Sequence, residues 1–470
     1  MKKKLLLLFS VLICFYSVQS QTDTKLTNDQ KVSLSKANLY EKNGWTYIHI
    51  EGNPEERGFQ HGYLLANEID EALRDMNKIW EHNTATRWSW LIEKASEMFK
   101  PKIDPENMAE INGIVEGMKA RNIQTTIDEL ITYNGLSELS GYWWPTIKDS
   151  ISPNTPTPTK ESCSAFIATG SMTDDGQIVM VQNTWGEYNM PEMSIIIDIQ
   201  PTTGNRILMQ SAPGLIHSLT DFFVTSAGIV GTETTIQGFF GFDPKGVPEF
   251  VRVRRAMQDA SSIEEWCEIM KKGNNGGYAN SWLIGDIKTN EIARLELGLK
   301  YVGFEKKKDG YFTGSNIVED MNILRRETMI DEQNIKMSNV SRRIRWEQLM
   351  KENAGKINIE IGKTMISDHY DNYLNIINPD SRTICGHLEL DNMAYNNFDP
   401  YLPIGAFDGK VVSADLAKDM TFIARWGSSC GRPFDANKFL IEHPQYDWMT
   451  GLLKNRPTQP WTTFKVNDHQ

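Results

Sequence analysis

A chain of 470 residues with 40% hydrophobic and 10% aromatic content can bury a large core, so a single layered enzyme fits it better than a small binding module. A formal charge of −12 at pH 7 argues against nucleic acid and anionic membrane surfaces as broad partners, and five cysteines are too few for a disulfide-built scaffold.

The chain opens with Lys2-Lys3-Lys4, an apolar run from Leu5 to Val18 and the small-residue site Val18-Gln19-Ser20. This pattern predicts a secretory signal peptide over residues 1–20, cut before Gln21. The run is too short to favour a spanning helix, and no later stretch approaches ~20 uninterrupted apolar residues, so no stable membrane insertion is expected. Ile13 precedes Cys14 where lipid attachment would want a small residue, so the expectation is a soluble protein, secreted or periplasmic.

Asn53-Pro54-Glu55-Glu56 predicts a helix start, with an Asn cap, Pro at the first helical position and acids facing the positive end of the dipole. That helix is expected to run toward Met76. Others are expected over Asp104–Ala120, over Pro248–Asp259 and within Ile323–Lys351. Residues 149–160, with three prolines and many hydroxyl side chains, read as a mobile linker.

Beyond the linker the pattern turns to strands. Residues 163–169, the turn signal Asp175-Gly176 and the apolar run to Trp185 predict a hairpin that returns Gln182, Asn183, Thr184 and Trp185 toward Cys163. Further strands are expected over Met193–Ile199, Arg206–Gln210, Phe222–Glu233, Ser281–Ile287 and Glu291–Leu297, with turns between antiparallel neighbours at Lys288-Thr289-Asn290 and Lys308-Asp309-Gly310. Strands clustered between helical ends suit an α+β sandwich.

The placement of Cys163, after a Pro/Thr-rich linker and at the head of a strand, suggests a nucleophile released by cleavage. A free α-amino group titrates near ~7.7–8.0, so an N-terminal Cys can supply both nucleophile and base. The plain alternative is a small buried residue at the start of a strand. Of the other cysteines, Cys267 lies in an expected helix opened by the capping spacing Ser261/Glu264 and reads as packing. Cys385 and Cys430 are either free or a disulfide in an oxidising compartment; spacing does not decide.

Cys163-Ser164-Ala165, Asn183-Thr184-Trp185, residues 227–236 and Tyr278-Ala279-Asn280-Ser281-Trp282 together resemble the phospholipase B-like family, and residues 50–62 resemble the start of those proteins. The chain is more distantly similar to the acyl-CoA:6-aminopenicillanate acyltransferase group. Both belong to the N-terminal nucleophile hydrolases, so the resemblance implies a four-layer α-β-β-α sandwich. It also implies self-cleavage before Cys163, leaving 21–162 as a pro-chain and 163–470 as the nucleophile-bearing chain in one globular domain, and hydrolysis of an amide or ester through an acyl-enzyme on sulfur. Asn280 is then a donor to the oxyanion, Gln182, Asn183 and Thr184 are site residues, and Trp185 touches substrate. No cofactor or metal is implied; the partner is a small acylated molecule, a lipid or an N-acyl compound. The chain departs from the family in carrying Gln182 where relatives have His, and Gln cannot accept a full proton. That leaves the α-amine as base and keeps an amide hydrolase, an acyltransferase or an inactive binding scaffold open as alternatives.

Rival signatures are weak. The eight histidines form no His-Glu-x-x-His and no Cys/His zinc spacing. His387 in Thr383-Ile384-Cys385-Gly386-His387 could serve a Cys-His protease, but the resemblance implies a structural role. Arg325, Arg326, Arg342, Arg343 and Arg345 read as a solvated helix face by default, with the alternative that one of them holds a substrate carboxylate or phosphate bidentately. Tyr142, Trp143 and Trp144 read as core before acyl pocket.

Overall fold

A computed structural model of the chain describes residues 26–152, 162–190, 193–394 and 399–468. The expected signal peptide and most of the Pro/Thr linker lie outside them. Among the described residues eighteen strands occur in chain order. Before Cys163 come β1 (Asn38–Lys42) and β2 (Trp45–Gly52). The hairpin β3 (Ser162–Thr169) and β4 (Val179–Glu187) follows, then β5 (Ile195–Pro201), β6 (Ile207–Ser211), β7 (Phe223–Thr225), β8 (Ile229–Thr235), β9 (Asn280–Asp286), β10 (Glu291–Leu297), β11 (Val302–Lys307) and β12 (Gly310–Gly314). A short hairpin, β13 (Tyr370–Asp371) and β14 (Ile376–Ile377), precedes β15 (Ile404–Ala406), β16 (Asp408–Ser413), β17 (Thr421–Trp426) and β18 (Thr462–Lys465).

These strands build two large sheets. One runs β1-β2-β5-β6-β7-β8-β9-β10-β11, the other β12-β3-β4-β16-β17-β18 with β15 added to β4. They meet face to face, β3 against β8 and β9, and β12 against β9 and β10. Helices close both outer faces. Pro54–Leu64 lies on β2 and β5, and Ile263–Lys271 on β9 and β10; on the far side Ile359–Met365 covers β4 and β16. The result is a four-layer α-β-β-α sandwich of α+β class. β2 pairs with β5 in parallel, so the segment before Cys163 supplies the edge of the larger sheet.

The predicted helix at Asn53 has its capping box, Asn53 accepting from the Glu56 amide, but it breaks at Leu65 and resumes as Ala66–Thr84. Phe222–Glu233 is not one strand: Gly228, at φ 79°, lets the chain reverse between β7 and β8. Lys308-Asp309-Gly310 does not join antiparallel neighbours; β11 edges one sheet and β12 the other, so the chain changes layer there. The helix bearing Cys267 is capped one residue later than expected, by Ser262. Cys267 itself is buried, and burial pushes its thiol up to about 12, which leaves it a packing residue.

The helices Pro54–Leu64 and Pro105–Ala120 cross with their backbones touching. A Cβ on Gly58 would stand 2.0 Å from the Glu110 carbonyl oxygen, and one on Gly62 the same distance from that of Ile114. Beside this crossing the buried Glu110 carboxylate accepts from Arg57 Nη2 at 2.8 Å and Arg254 Nη2 at 3.0 Å. Burial works to raise its pKa, but the two guanidinium charges prevail and hold it below the ordinary carboxylate value. Removing one partner from a buried ion network costs about 3–5 kcal/mol, so Glu110→Gln should lower the unfolding free energy in urea by that amount. Because the folded pKa is depressed, this stabilisation is present above the unfolded value and is lost as pH falls through the folded one. The variant should lack that acid-side loss.

Candidate active site

Side chains alternate across a strand, and β3 pairs antiparallel with β4 so that Cys163 faces Thr184 and Ala165 faces Gln182. Cys163, Gln182 and Thr184 therefore share the face turned toward the other sheet. Ser164, Asn183 and Trp185 share the opposite face, toward the outer helices. The nucleophile candidate sits in the seam between the sheets.

Three contacts fix Cys163. Its Sγ lies 3.7 Å from Glu233 Oε1 on β8. Its backbone N–H donates to Asn316 Oδ1 at 3.1 Å. Its carbonyl accepts from Arg342 Nη1, at 2.6 Å. Asn316 stands in the left-handed region at φ 67°, which Asn tolerates, and its own Nδ2 donates to the Thr235 carbonyl at 2.8 Å. Arg342 Nη2 donates to Asn316 Oδ1 at 2.9 Å, which orients that amide with oxygen toward Cys163. The guanidinium also donates to Ser164 Oγ and lies 4.3 Å from the Trp185 ring centre, a stacked cation on an indole. Burial lowers Arg342 to about 9, with the Cys163 thiol opposing, so it stays a cation at neutral pH.

Glu233 is held from several sides. Tyr278 Oη donates to Oε1 at 3.3 Å, and Gln182 Nε2 donates to the Glu233 carbonyl at 2.9 Å. The hydrogen-bonding surroundings orient the Asn280 amide with Nδ2 donating to Glu233 Oε2 at 3.0 Å and to the Ala279 carbonyl. Lys410, fully buried, donates to Thr184 Oγ1, Gln210 Oε1 and Asp408 Oδ2 within 2.8 Å. Burial pulls the Lys410 ammonium down, while Asp408, Cys163 and Glu233 oppose that pull. The seam thus holds a thiol, the carboxylates of Glu233 and Asp408, and the two buried cations Arg342 and Lys410. An apolar cleft of about 1110 Å³, counting its open mouth, is lined by Met76, Ile79, Trp80, Tyr133 and Leu136. Tyr278, Leu219 and Thr235 belong both to that wall and to the Cys163 network, while Cys163 itself does not line the cleft.

Cys163, Gln182, Thr184 and Asn280 are brought together, but two expected site residues are not with them. Asn183 turns outward and donates to the carbonyls of Ile366 and Ile384. Trp185 also turns outward, its Nε1 donating to the Ile384 carbonyl, and it is absent from the cleft wall. Strand alternation alone puts both on that outer face. Glu233, Asn316, Arg342 and Lys410 join the site in addition to the expected residues. Arg342 in particular is no part of a solvated face, being fully buried where Arg325 is exposed. Tyr142 lines the cleft, while Trp144 is core. His387 contacts Cys385, Cys430 and Glu389 instead of Cys163, and Cys385 and Cys430 are free thiols, not a disulfide.

A four-layer sandwich with a strand-borne thiol in the seam between its sheets is the class that fold and site define. Residues 35–302, more than half of the chain, match the profile of the phospholipase B family, and the chain belongs to that family. It is 24% identical to phospholipase B-like protein C of Dictyostelium discoideum over 368 residues, 67% of this chain and 64% of that protein. Over 113 residues it is 38% identical to a phospholipase B of Crotalus adamanteus, covering 23% of this chain and 20% of that one. The match thus spans less than two thirds of those relatives' lengths. A crystallised conjugated bile acid hydrolase from Clostridium perfringens aligns with 65% of this chain and 97% of its own at 11% identity and a TM-score of 0.33, too distant to bear on the fold above.

Lys410→Met should leave Asp408 buried and unpaired and lower the unfolding free energy by about 3–5 kcal/mol. Adding Asp408→Asn should restore part of it, since the pair is then removed as a unit. A double variant no more stable than Lys410→Met alone would contradict the pairing.

Proposed function

We propose that the chain is an acyl hydrolase acting through a thioester on Cys163, and that it becomes competent when the Ser162–Cys163 peptide bond is cut. The observation that carries this reading is the position of Asn316 Oδ1, which holds the Cys163 nitrogen at 3.1 Å and would equally hold a free α-amine there.

In the intact chain the carboxylate nearest the thiol is Glu233. It takes the thiol proton as sulfur attacks the Ser162 carbonyl carbon; the Cys163 nitrogen leaves with a proton, and water hydrolyses the resulting thioester to a Ser162 carboxylate. The new α-amine, near ~8 unless perturbed, then serves as base for the next attack. Arg342 holds the Cys163 carbonyl and Asn316 holds the nitrogen, so the thiol can turn without the main chain moving. Gln182 Oε1 is buried without a partner on the same face, and gives the amine a further acceptor. That supports a positioning role for Gln182 in place of the lost acid/base role. Sulfur attacks the substrate acyl carbonyl, Asn280 Nδ2 gives up one of its two acceptors, Glu233 Oε2 or the Ala279 carbonyl, to donate to the oxyanion, and water activated by the amine releases the acid.

The apolar cleft and the family match support an acyl chain as the group held; ester or amide is the question for assay. The N-terminal pattern supports export, with residues 21–162 as the pro-chain. The inactive scaffold reading rests on Gln182 and predicts no Cys163-dependent turnover.

Wild-type protein should yield a fragment beginning at Cys163 by intact mass and N-terminal sequencing, and Cys163→Ala should stay whole. Turnover of a lysophospholipid or an N-acyl amino acid should require Cys163. Two single chains with equal turnover would overturn the proposal. Asn280→Ala should lower turnover ~10²–10³-fold by removing one oxyanion donor, with Cys163 still released.

A further inference from the structure

His369, Cys385, His387 and Cys430 converge although 61 positions separate the first from the last, and their four ligand atoms all lie within 4.8 Å of one another. From this cluster we infer a structural zinc site of Cys2His2 type, away from the Cys163 thiol and independent of the proposed hydrolysis. Tetrahedral zinc with bonds of ~2.3 Å to sulfur and ~2.0–2.1 Å to nitrogen sets those ligands ~3.6 Å apart. His387 Nε2 lies 3.5 Å from Cys385 Sγ and 3.5 Å from Cys430 Sγ.

The surroundings are those a metal-binding histidine needs. His387 Nδ1 is 2.8 Å from Glu389 Oε1, so the ring's proton faces the carboxylate and the Nε2 lone pair faces the two sulfurs. The Arg432 backbone N–H donates to Cys430 Sγ at 3.4 Å, as suits a thiolate acceptor. His369 Nε2 is buried without a hydrogen-bond partner. A surface recess reaches His369, which gives the ion a way in. Two thiolates balance the charge of a divalent ion, so the closed site would be neutral.

Its place in the fold says what the ion does. Gly386, between two of the ligands, lies flat on Trp185, where a Cβ would stand 2.1 Å from the ring. Trp185 in turn carries the Arg342 guanidinium that holds the Cys163 carbonyl. The ion would clamp three separate chain segments behind that indole.

The test uses the full chain purified under reducing conditions, with elemental analysis after dialysis against a mild chelator. Wild type should retain about one zinc per chain, and Cys430→Ser and His369→Gln should each lose it. Glu389→Gln should weaken zinc affinity ~10–100-fold, the usual effect of removing a carboxylate behind a histidine ligand. Cobalt in place of zinc should give a thiolate charge-transfer band and tetrahedral ligand-field bands in wild type. That spectrum decides the matter even if a variant fails to fold. Wild-type protein without retained zinc and without the cobalt thiolate band, or an intact mass two hydrogens light with a Cys385–Cys430 disulfide peptide, would overturn the inference. Loss of zinc with Cys163 release intact would leave the hydrolase reading standing by itself.

Discussion

Two sheets packed face to face exclude water from the surface between them, so a polar group in that surface depends on protein partners for its hydrogen bonds. Most of this interface is aliphatic and aromatic. At the Cys163 end it is not, and there the pairing is between sheets: Gln182 reaches the Glu233 carbonyl, Lys410 reaches Gln210, and the loop residue Asn316 reaches Thr235. The partners come from β4 and β8, from β16 and β6, and from the segment after β12. A shift of either sheet by one residue would strand several buried polar groups at once, each at about 1–3 kcal/mol. The polar seam therefore fixes the relative register of the layers as well as the chemistry at their edge.

Within that seam Cys163 is constrained in an unusual way. Its amide nitrogen and its carbonyl oxygen are both bonded to side chains, Asn316 and Arg342, and those two side chains are bonded to each other. Backbone groups in a strand ordinarily pair with the neighbouring strand; here the pairing at the strand's first turn is handed to side chains from elsewhere. The arrangement leaves only the thiol with rotational freedom, directed at a carboxylate that is itself held by Tyr278 and Asn280.

The hairpin that carries Cys163 was legible in the sequence because Asp175-Gly176 and period-two alternation are local signals, but its register, with Cys163 opposite Thr184, is set across the longer connection between Thr169 and Val179. The same alternation, applied strictly, would have sent Asn183 and Trp185 to the far face. Glu233 lies inside residues 227–236, which carry part of the family resemblance, yet nothing local marks a strand carboxylate as buried beside a thiol supplied 70 positions earlier. Arg342 did leave a trace: Trp346 and Leu349 follow at helical spacing and are buried with it, an apolar stripe with one charge in it. The Cys2His2 cluster left none, since its ligands come from three segments with no compact spacing. The crossing from β11 to β12 was hidden for a related reason, as a turn between layers and a turn within a sheet use the same residues.

The parallel pairing of β2 with β5 and the Glu110 carboxylate shared by Arg57 and Arg254 both join residues on opposite sides of the Ser162–Cys163 bond. Seven residue pairs of sheet ladder and a buried ion network are indifferent to whether that peptide bond exists. Connectivity and integrity are thus separate properties of this molecule: a cut at that bond would make two polypeptides and still leave one particle, with dissociation opposed by the whole interior of the fold.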